Sequence, residues 1–478
     1  MAQPTHQEQE QVEQCTLRIA VVGGPQYDRL YDRLAIFEAE TGILVEVVYK
    51  GSHPELNDYI ATTFPPADNN NGNSSTYKTP ELDLISTHVK YAPSQAHYLQ
   101  ELDFSSVSQE DQDAFLDSAL EACKIQGKLM QLPRMVDSRV LFYRADVLEQ
   151  LGLDPAQTWQ DLAKCASTIG QAFLPVGTSG QHSSEEKDLE VAEVETMQGY
   201  VFPGKLSGLF GTFYELAMME MRHPEALFDK DDRPVFEEST VVPVLRYMRH
   251  LVETGAVPSD IDHYYFDQVS SMFAEGKVAM VADWPSFYKD MKQRLKKVPG
   301  AKVKVMRYPV GANGSRSAYS GMHSFAIPKS CRYPQEALRL LKFLVDDEQQ
   351  WLEATESGSF PTKKAVLQRL VDKTEEVAAA TEKKVTNDDE AQLDSDRLGC
   401  LRATVEEDMA MFPHLLTYPE LEDALYPMIQ DAMMGRLSPE EAARQMKTRA
   451  LQPILGWPVK TERNVLFVLF FGFGESGG

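Results

Sequence analysis

The sequence is poor in basic clusters and in grouped cysteines. Its formal net charge is −25, and lysine and arginine occur only in short pairs such as Lys296-Lys297. Because nucleic acids and anionic membranes bind to clustered positive charge, neither is an expected partner. The cysteines are scattered, with no C-x-x-C pair and no histidine at zinc-ligand spacing, so neither a disulfide scaffold nor a local zinc motif is predicted and most thiols are expected to be buried. They are Cys15, Cys123, Cys165, Cys331 and Cys400.

Long apolar runs and a targeting segment are also missing. The apolar run from Val465 to Phe473 has about half the length that a helix needs to cross a bilayer, and we expect residues 459–478 to form a tail of uncertain structure. Residues 1–15 have neither the basic nor the apolar region of a signal peptide, so no secretory signal is predicted in the sequence as written. We expect this segment to be disordered. The chain as written is expected in the cytoplasm, or outside it if a leader is missing.

Motifs for nucleotide, metal and catalytic sites are absent from the sequence. The strand LRIAVVG runs into Gly23-Gly24, which invites a phosphate-binding turn, but the third glycine of the dinucleotide fingerprint does not follow. No P-loop lysine, G-x-S-x-G elbow or H-E-x-x-H helix occurs. The acidic stretches 345–348 and 387–390 lack the glycine and spacing of an EF-hand loop. We therefore predict no cofactor, no metal and no catalytic residues.

What the sequence does contain is the alternation of an α/β fold. A strand from Leu17, a helix from Asp28 to Thr41 and a strand from Ile43 follow one another, and a further strand, LDLIS, comes after a long loop. A chain of 478 residues exceeds one ordinary core, so two or more lobes are expected. The polar stretches 65–80 and 177–197 are interpreted as surface insertions.

Polar and aromatic residues follow three of the predicted strands. Gln26 and Tyr27 follow the first, His88 follows LDLI, and Asp283 and Trp284 follow VAMVA. Ligands of open α/β sheets bind outside the carboxyl ends of the strands. These loops are therefore the natural place for a binding site.

Several segments resemble family 1 extracellular solute-binding proteins of ABC importers, which include proteins similar to maltose-binding protein. In residues 124–162 the resemblance rests on short motifs, and Arg144 stands where the family has asparagine. These motifs are Gly127-Lys128, Leu132-Pro133, Leu141-Phe142-Tyr143, Gly152-Leu153 and Thr158-Trp159. FAEGKVAM, AIPKSCRYPQEALRLLKFLVDDEQQ and GSFPTKKAV agree in order, as does ELDLISTHVKYAPSQAHYLQELD, so the likeness covers about residues 16–455.

The resemblance implies a two-lobed α/β fold like that of periplasmic binding proteins, with a mostly parallel sheet in each lobe and a cleft between them. The first lobe would comprise residues 16–134 and 322–347, and the second residues 135–321 and 348–458. Ten ligand-binding residues are implied by position in this fold. They are Gln26, Tyr27, His88, Arg134, Asp137, Phe202, Asp283, Trp284, Met322 and His323.

The resemblance further implies a monomer that binds a small polar solute, most readily a sugar or oligosaccharide, and closes by hinge motion for an ABC importer membrane subunit. Trp284 would stack on the sugar, or else pack on Pro285 at the rim. Asp137 and Asp283 would accept solute hydroxyls, or else cap backbone turns. The alternative is an enzyme or biosynthetic accessory protein on the same scaffold in the cytosol, since fold does not determine function.

Overall fold

The computed structural model of the chain describes most of the sequence. Most of the N-terminal segment and the whole insertion at 65–80 lie outside the described residues, as do most of the insertion at 177–197 and most of the tail. The described residues are 14–64, 81–103, 105–173, 196–220, 226–231, 233–382, 389–410, 412–413, 415–451, 460–461 and 464–465. Within these ranges no helix has the length and apolar character needed to cross a membrane.

The strands are numbered in chain order. They are β1 (Thr16–Val22), β2 (Leu44–Gly51), β3 (Leu84–His88), β4 (Lys124–Ile125), β5 (Lys128–Leu129), β6 (Leu132–Ser138), β7 (Val140–Arg144), β8 (Gln198–Val201), β9 (Val278–Asp283), β10 (Val303–Met306), β11 (Ala318–Ala326), β12 (Phe360–Pro361), β13 (Met409–Ala410), β14 (Lys460–Thr461) and β15 (Asn464–Val465).

The helices are likewise numbered along the chain. They are α1 (Pro25–Tyr31), α2 (Leu34–Thr41), α3 (His53–Thr63), α4 (Ala92–Gln95), α5 (Gln109–Asp113), α6 (Asp117–Ala122), α7 (Ala145–Leu151), α8 (Trp159–Ala172), α9 (Leu206–Glu220), α10 (Glu238–Glu253), α11 (Phe266–Ala274), α12 (Tyr288–Leu295), α13 (Pro334–Leu344), α14 (Asp347–Glu356), α15 (Lys364–Glu382), α16 (Asp389–Ala403), α17 (Tyr418–Met433) and α18 (Pro439–Leu451).

Two sheets define two lobes, which confirms the predicted two-lobed α/β architecture. The first lobe is built on a seven-stranded sheet in the order β12-β6-β11-β3-β1-β2, with β13 paired to β11, and the second on a four-stranded sheet in the order β10-β7-β9-β8. Both sheets are mixed rather than mostly parallel. The reason is that β11 runs antiparallel to β3 and β6, and β7 runs antiparallel to β9 and β10.

The strand pairing moves the expected lobe boundaries. β6 and β11 belong entirely to the first sheet, so the first lobe extends beyond residue 134 and begins again before residue 322. β12 pairs with β6, and α14 packs on α1, which places residues 347–361 with the first lobe rather than the second. Helices α16, α17 and α18 pack with β10, α9 and α10 and complete the second lobe.

Local sequence signals account for several element ends. Thr158 accepts a hydrogen bond from the backbone N–H of Asp161 and begins α8 as a capping box. Gly276, between α11 and β9, has a φ of 75°, a conformation that glycine adopts readily and that ends the helix. The predicted single helix over 28–41 is wrong in extent. Helix α1 begins earlier, at Pro25 after the Gly24 cap, and residues 32–33 interrupt the helix before α2.

The cysteines are free thiols, as the sequence indicates. Cys123 and Cys165 are buried, so the expectation of mostly buried thiols is met only in part. The half-buried thiols are those of Cys15, Cys331 and Cys400.

Gly199 lets strand β8 approach helix α8 closely. A Cβ atom at this position would lie 2.0 Å from the carbonyl oxygen of Ala166. We expect Gly199→Ala to lower the free energy of unfolding by about 1–3 kcal/mol, since backbone must move to relieve the contact. Gly399→Ala is the control in α16, where nothing lies within 4 Å of the added atom, and it should stabilise by up to about 1 kcal/mol. Urea unfolding of both variants checks this, and equal effects would contradict it.

Candidate functional site

A cavity of about 460 Å³ lies between the two lobes, at the carboxyl ends of several strands. This volume falls within the range of small-molecule sites. The first lobe lines it with a polar set of residues, and the second lobe together with Tyr319 of β11 lines it with a more aromatic set. The first set is Tyr27, His53, His88, Lys90, Asp137 and His323, and the second is Ser207, Tyr265, Phe266, Ser270, Trp284 and Tyr319.

Five residues from different strands and helices of the first lobe build what we call the histidine wall. They are Tyr27, His53, His88, Asp137 and His323. Tyr27 lies in α1 after β1, and His53 begins α3 after β2. His88 ends β3, Asp137 lies near the end of β6, and His323 lies within β11. Parallel and antiparallel pairing of neighbouring strands brings these five side chains to one edge of the sheet.

The residues of the histidine wall contact one another closely. The Tyr27 hydroxyl lies 3.3 Å from Nε2 of His53 and 3.3 Å from Nε2 of His323. Nε2 of His323 also contacts Oδ2 of Asp137. The ring centroids of His53 and His323 are 4.5 Å apart, and those of His88 and His323 are 5.3 Å apart.

The imidazoles of His53 and His88 are held neutral at neutral pH. Burial lowers the pKa of both side chains well below the usual histidine value, and the neighbouring His323 lowers it further. A neutral imidazole offers one nitrogen as an acceptor or ligand and the other as a donor. In His88 the Nδ1 atom accepts a hydrogen bond from the backbone N–H of Lys90 at 3.2 Å.

One part of the histidine wall has the composition of a metal-binding group. His88, Asp137 and His323 are buried, and each offers one ligand atom within 4.8 Å of the others. In the described part of the chain, Nδ1 of His323 and Oδ1 of Asp137 are buried without a hydrogen-bond partner. Imidazole nitrogen with carboxylate oxygen is a donor set that suits zinc and related ions.

The opposite side of the cavity is an aromatic wall formed by Tyr265, Phe266, Trp284 and Tyr319. The Trp284 ring centroid lies 5.7 Å from that of Phe266 and 5.8 Å from that of Tyr319, in edge-to-face geometry. Such aromatic surfaces match the apolar faces of sugar rings and similar solutes.

A buried ion pair behind the aromatic wall holds Trp284 and Tyr319 in place. Arg139 donates a 2.9 Å hydrogen bond to Glu215, and Glu215 also accepts a 2.7 Å hydrogen bond from the backbone N–H of Tyr319. The guanidinium carbon of Arg139 lies 5.1 Å from the Trp284 ring centroid and 5.6 Å from that of Tyr319. This cation–π arrangement favours a fixed ring orientation.

A second buried ion pair joins the lobes at the cavity. Nζ of Lys90, which follows β3, lies 3.0 Å from Oε2 of Glu422 in α17. Both side chains are less than a tenth exposed. Because α17 packs on the second lobe, this pair links the two sides of the cleft.

Of the ten residues predicted for the site, the structure brings five to the cavity. These are Tyr27, His88, Asp137, Trp284 and His323. Gln26 lies in α1, but its side chain is outside the described part of the structure.

The other four predicted residues do not line the cavity. Arg134 is fully buried and binds Glu353 in α14. Phe202 is buried against Tyr200, and Met322 is buried because alternate residues of β11 face opposite sides of the sheet. The Asp283 carboxylate accepts a hydrogen bond from the backbone N–H of Trp284 at 2.8 Å. Asp283 therefore caps a backbone turn, which is the second of the two roles expected for it.

Sequence reasoning missed His53, Lys90 and Tyr319. His53 follows β2 in the sequence KGSHPE, so the rule applied to the other strand ends would have found it. Lys90 lies only two residues beyond His88, so the same strand end pointed to it. Tyr319 lies four residues before His323 on β11 and so shares its face of the strand. Strand alternation from His323 would have identified Tyr319 once the extent of β11 was known.

Comparisons with known proteins agree with this architecture. A family model described as bacterial extracellular solute-binding protein matches residues 32–385. A probable ABC transporter-binding protein of Deinococcus radiodurans is 24% identical over 60% of this chain and 63% of its own length. The arabinooligosaccharide-binding protein of Bacillus subtilis is 24% identical over 52% of this chain and 51% of its own. The chain thus spans less than two thirds of these curated relatives.

A solved structure shares the fold over almost its whole length. Maltose-bound MalE3 of T. maritima matches with a TM-score of 0.69 and 20% identity, and covers 91% of this chain and 99% of its own. At this identity the likeness concerns the arrangement of lobes and sheets.

Proposed function

Since the chain belongs to the bacterial extracellular solute-binding proteins, we propose that it captures a small polar solute, a carbohydrate above all, in the cavity between its lobes. The observation that carries this proposal is the pairing of an aromatic wall with a polar histidine wall across one cavity. Closure of the lobes would bring both walls onto the solute.

The chemistry of the two walls fits a sugar. A sugar ring presents apolar C–H faces and a rim of hydroxyls, so it needs aromatic surface together with donors and acceptors. Trp284 and Phe266 offer the aromatic surface. Asp137 and the imidazoles of His53 and His88 offer acceptors or donors at the other side of the cavity.

The names of the relatives support the same class of solute. One binds arabinooligosaccharides and one solved structure holds maltose, so pentose and hexose oligosaccharides are the first solutes to test. The Deinococcus relative is named as an ABC transporter-binding protein. We therefore propose an ABC importer membrane subunit as the partner of the loaded, closed form.

Calorimetric titration of the full chain with arabino- and malto-oligosaccharides tests the proposal. Saturable one-to-one binding is expected, with the sugar recovered unchanged by chromatography. A sugar consumed in proportion to time and protein would favour the alternative, an enzyme on this scaffold. Absence of binding by any sugar would contradict the proposal.

Trp284→Ala should weaken sugar binding about tenfold, which corresponds to the loss of about 1.4 kcal/mol from one stacking ring. Trp284→Phe should retain most of the affinity because it keeps an aromatic face. Trp351→Ala serves as the control, since Trp351 lies in α14 beneath Arg369 and away from the cavity. Titration calorimetry compares the three, and equal affinities of the two alanine variants would remove Trp284 from the site.

A further inference from the structure

We infer that the histidine wall is a binding site for a divalent transition-metal ion of the zinc class, held by His88, Asp137 and His323 with His53 beside them. This goes beyond the proposed function, because sugar binding of this kind needs no metal. Three of these residues are also proposed to contact the sugar, but all four belong to the first lobe, so the metal site does not depend on contacts from the second lobe.

The spacing of the donor atoms comes close to that of a coordination sphere. The ligand atoms of His88, Asp137 and His323 lie within 4.8 Å of one another. In a tetrahedral zinc site with bonds of about 2.0–2.2 Å, donors are separated by about 3.4 Å. Movements of about 1 Å per side chain would therefore complete the site. The His53 ring lies next to this group, with its centroid 4.5 Å from that of the His323 ring.

Two unpartnered atoms point to a missing ligand at this place. Among the described residues, Nδ1 of His323 and Oδ1 of Asp137 are buried and lack a hydrogen-bond partner. Both residues are more than nine-tenths buried and both line the cavity. Leaving a buried polar atom unsatisfied costs about 1–3 kcal/mol. A cation bound by either atom would offset part of that cost.

The backbone holds these donors in register. His323 is the direct cross-strand partner of His88, and Gly321 is that of Asp137. A Cβ atom at Gly321 would lie 2.2 Å from Nε2 of His88. Glycine at this position therefore leaves the space that the His88 ring fills beside Asp137 and His323.

The donor set selects the class of ion. Two or three imidazole nitrogens with one carboxylate suit Zn²⁺ and neighbouring transition metals, whereas Mg²⁺ and Ca²⁺ prefer oxygen donors throughout. The contact between Nε2 of His323 and Oδ2 of Asp137 holds these two donor residues side by side.

Calorimetric titration of the chelator-treated full chain with ZnCl₂ tests this inference, with MgCl₂ as the comparison ion. One zinc per chain is expected, and no comparable binding of magnesium. His88→Ala, His323→Ala and Asp137→Asn should each weaken zinc binding about tenfold or more. His250→Ala is the matched control, because that exposed histidine lies on α10 far along the second lobe.

Substitution with CoCl₂ gives a second readout that does not depend on affinity alone. Tetrahedral nitrogen and oxygen ligands give Co²⁺ a strong visible absorption that the hydrated ion lacks. That absorption should appear in the wild type and in His250→Ala, and disappear in Asp137→Asn, which is the variant least disruptive to packing. The inference is wrong if zinc binding and cobalt absorption persist unchanged in Asp137→Asn and in His323→Ala. It is also wrong if the wild type binds zinc no more tightly than magnesium. Oligosaccharide binding by the chelator-treated chain is measured separately, so either idea can fail alone.

Discussion

Replacing Arg134 by methionine is expected to lower the free energy of unfolding by about 3–5 kcal/mol, because the change leaves a carboxylate buried without its partner. Nε of Arg134 lies 3.0 and 3.1 Å from the two carboxylate oxygens of Glu353. Nη1 also donates to the Tyr31 hydroxyl at 3.1 Å, and Nη2 to the Tyr27 carbonyl at 3.2 Å. One side chain thus ties β6 to α1 and α14.

Urea unfolding followed by circular dichroism measures this effect, and methionine is chosen because it nearly preserves the volume. Arg402→Met is the control, since its pair with Glu406 on α16 is exposed and such pairs contribute about 0–1 kcal/mol. The double variant Arg134→Met/Glu353→Leu should recover much of the loss, because no charge stays buried. If Arg134→Met costs no more than Arg402→Met, the buried ion pair does not stabilise the first lobe.

Asp283→Asn is expected to raise the free energy of unfolding by about 2–4 kcal/mol at pH 8 and by only about half as much or less at pH 5. Burial raises the pKa of the Asp283 carboxyl to about 7, although Ser270, the Trp284 N–H and Arg139 oppose the shift. The folded chain therefore keeps a proton that the unfolded chain loses near pH 4. Stability contributed by this group falls as the pH rises from about 4 to about 7.

Asparagine mimics the protonated acid, so it removes that part of the pH dependence. Thermal unfolding of both proteins at pH 5 and pH 8 measures the difference, which should grow with pH. Asp32→Asn, at an exposed residue between α1 and α2, should show no such trend. A difference that stays constant between pH 5 and pH 8 would mean that Asp283 is ionised throughout this range.

The ends of strands were predictable from local sequence. Because ligands of open α/β sheets bind outside the carboxyl ends of the strands, these ends located much of the site. Gly23-Gly24 ends β1 and forms the turn into α1, and Tyr27 lies one turn of that helix away at the cavity. His88 and Trp284 were found by the same rule. Each of these predictions needs only a strand and the residues that follow it.

Other parts of the site depend on register, which local sequence does not contain. His88 and His323 are separated by more than two hundred residues, and only the pairing of β3 with β11 places them opposite each other. For that reason a search for closely spaced histidines predicted no metal site. Arg134 was assigned to the cleft by loop position, but it lies in β6 and points into the first lobe, where Glu353 is brought by a distant helix.

Strand β11 fixes the distance between two residues that line the cavity. Tyr319 at the aromatic wall and His323 at the histidine wall lie four residues apart on the same face of the strand, a separation of about 13 Å along its axis. Between these two residues β11 pairs with β6 in unbroken register, from Ser320 opposite Ser138 to His323 opposite Met135. Movement of the lobes would therefore leave this distance unchanged, so a solute that touches both ends is selected by its own length however far the cleft has closed.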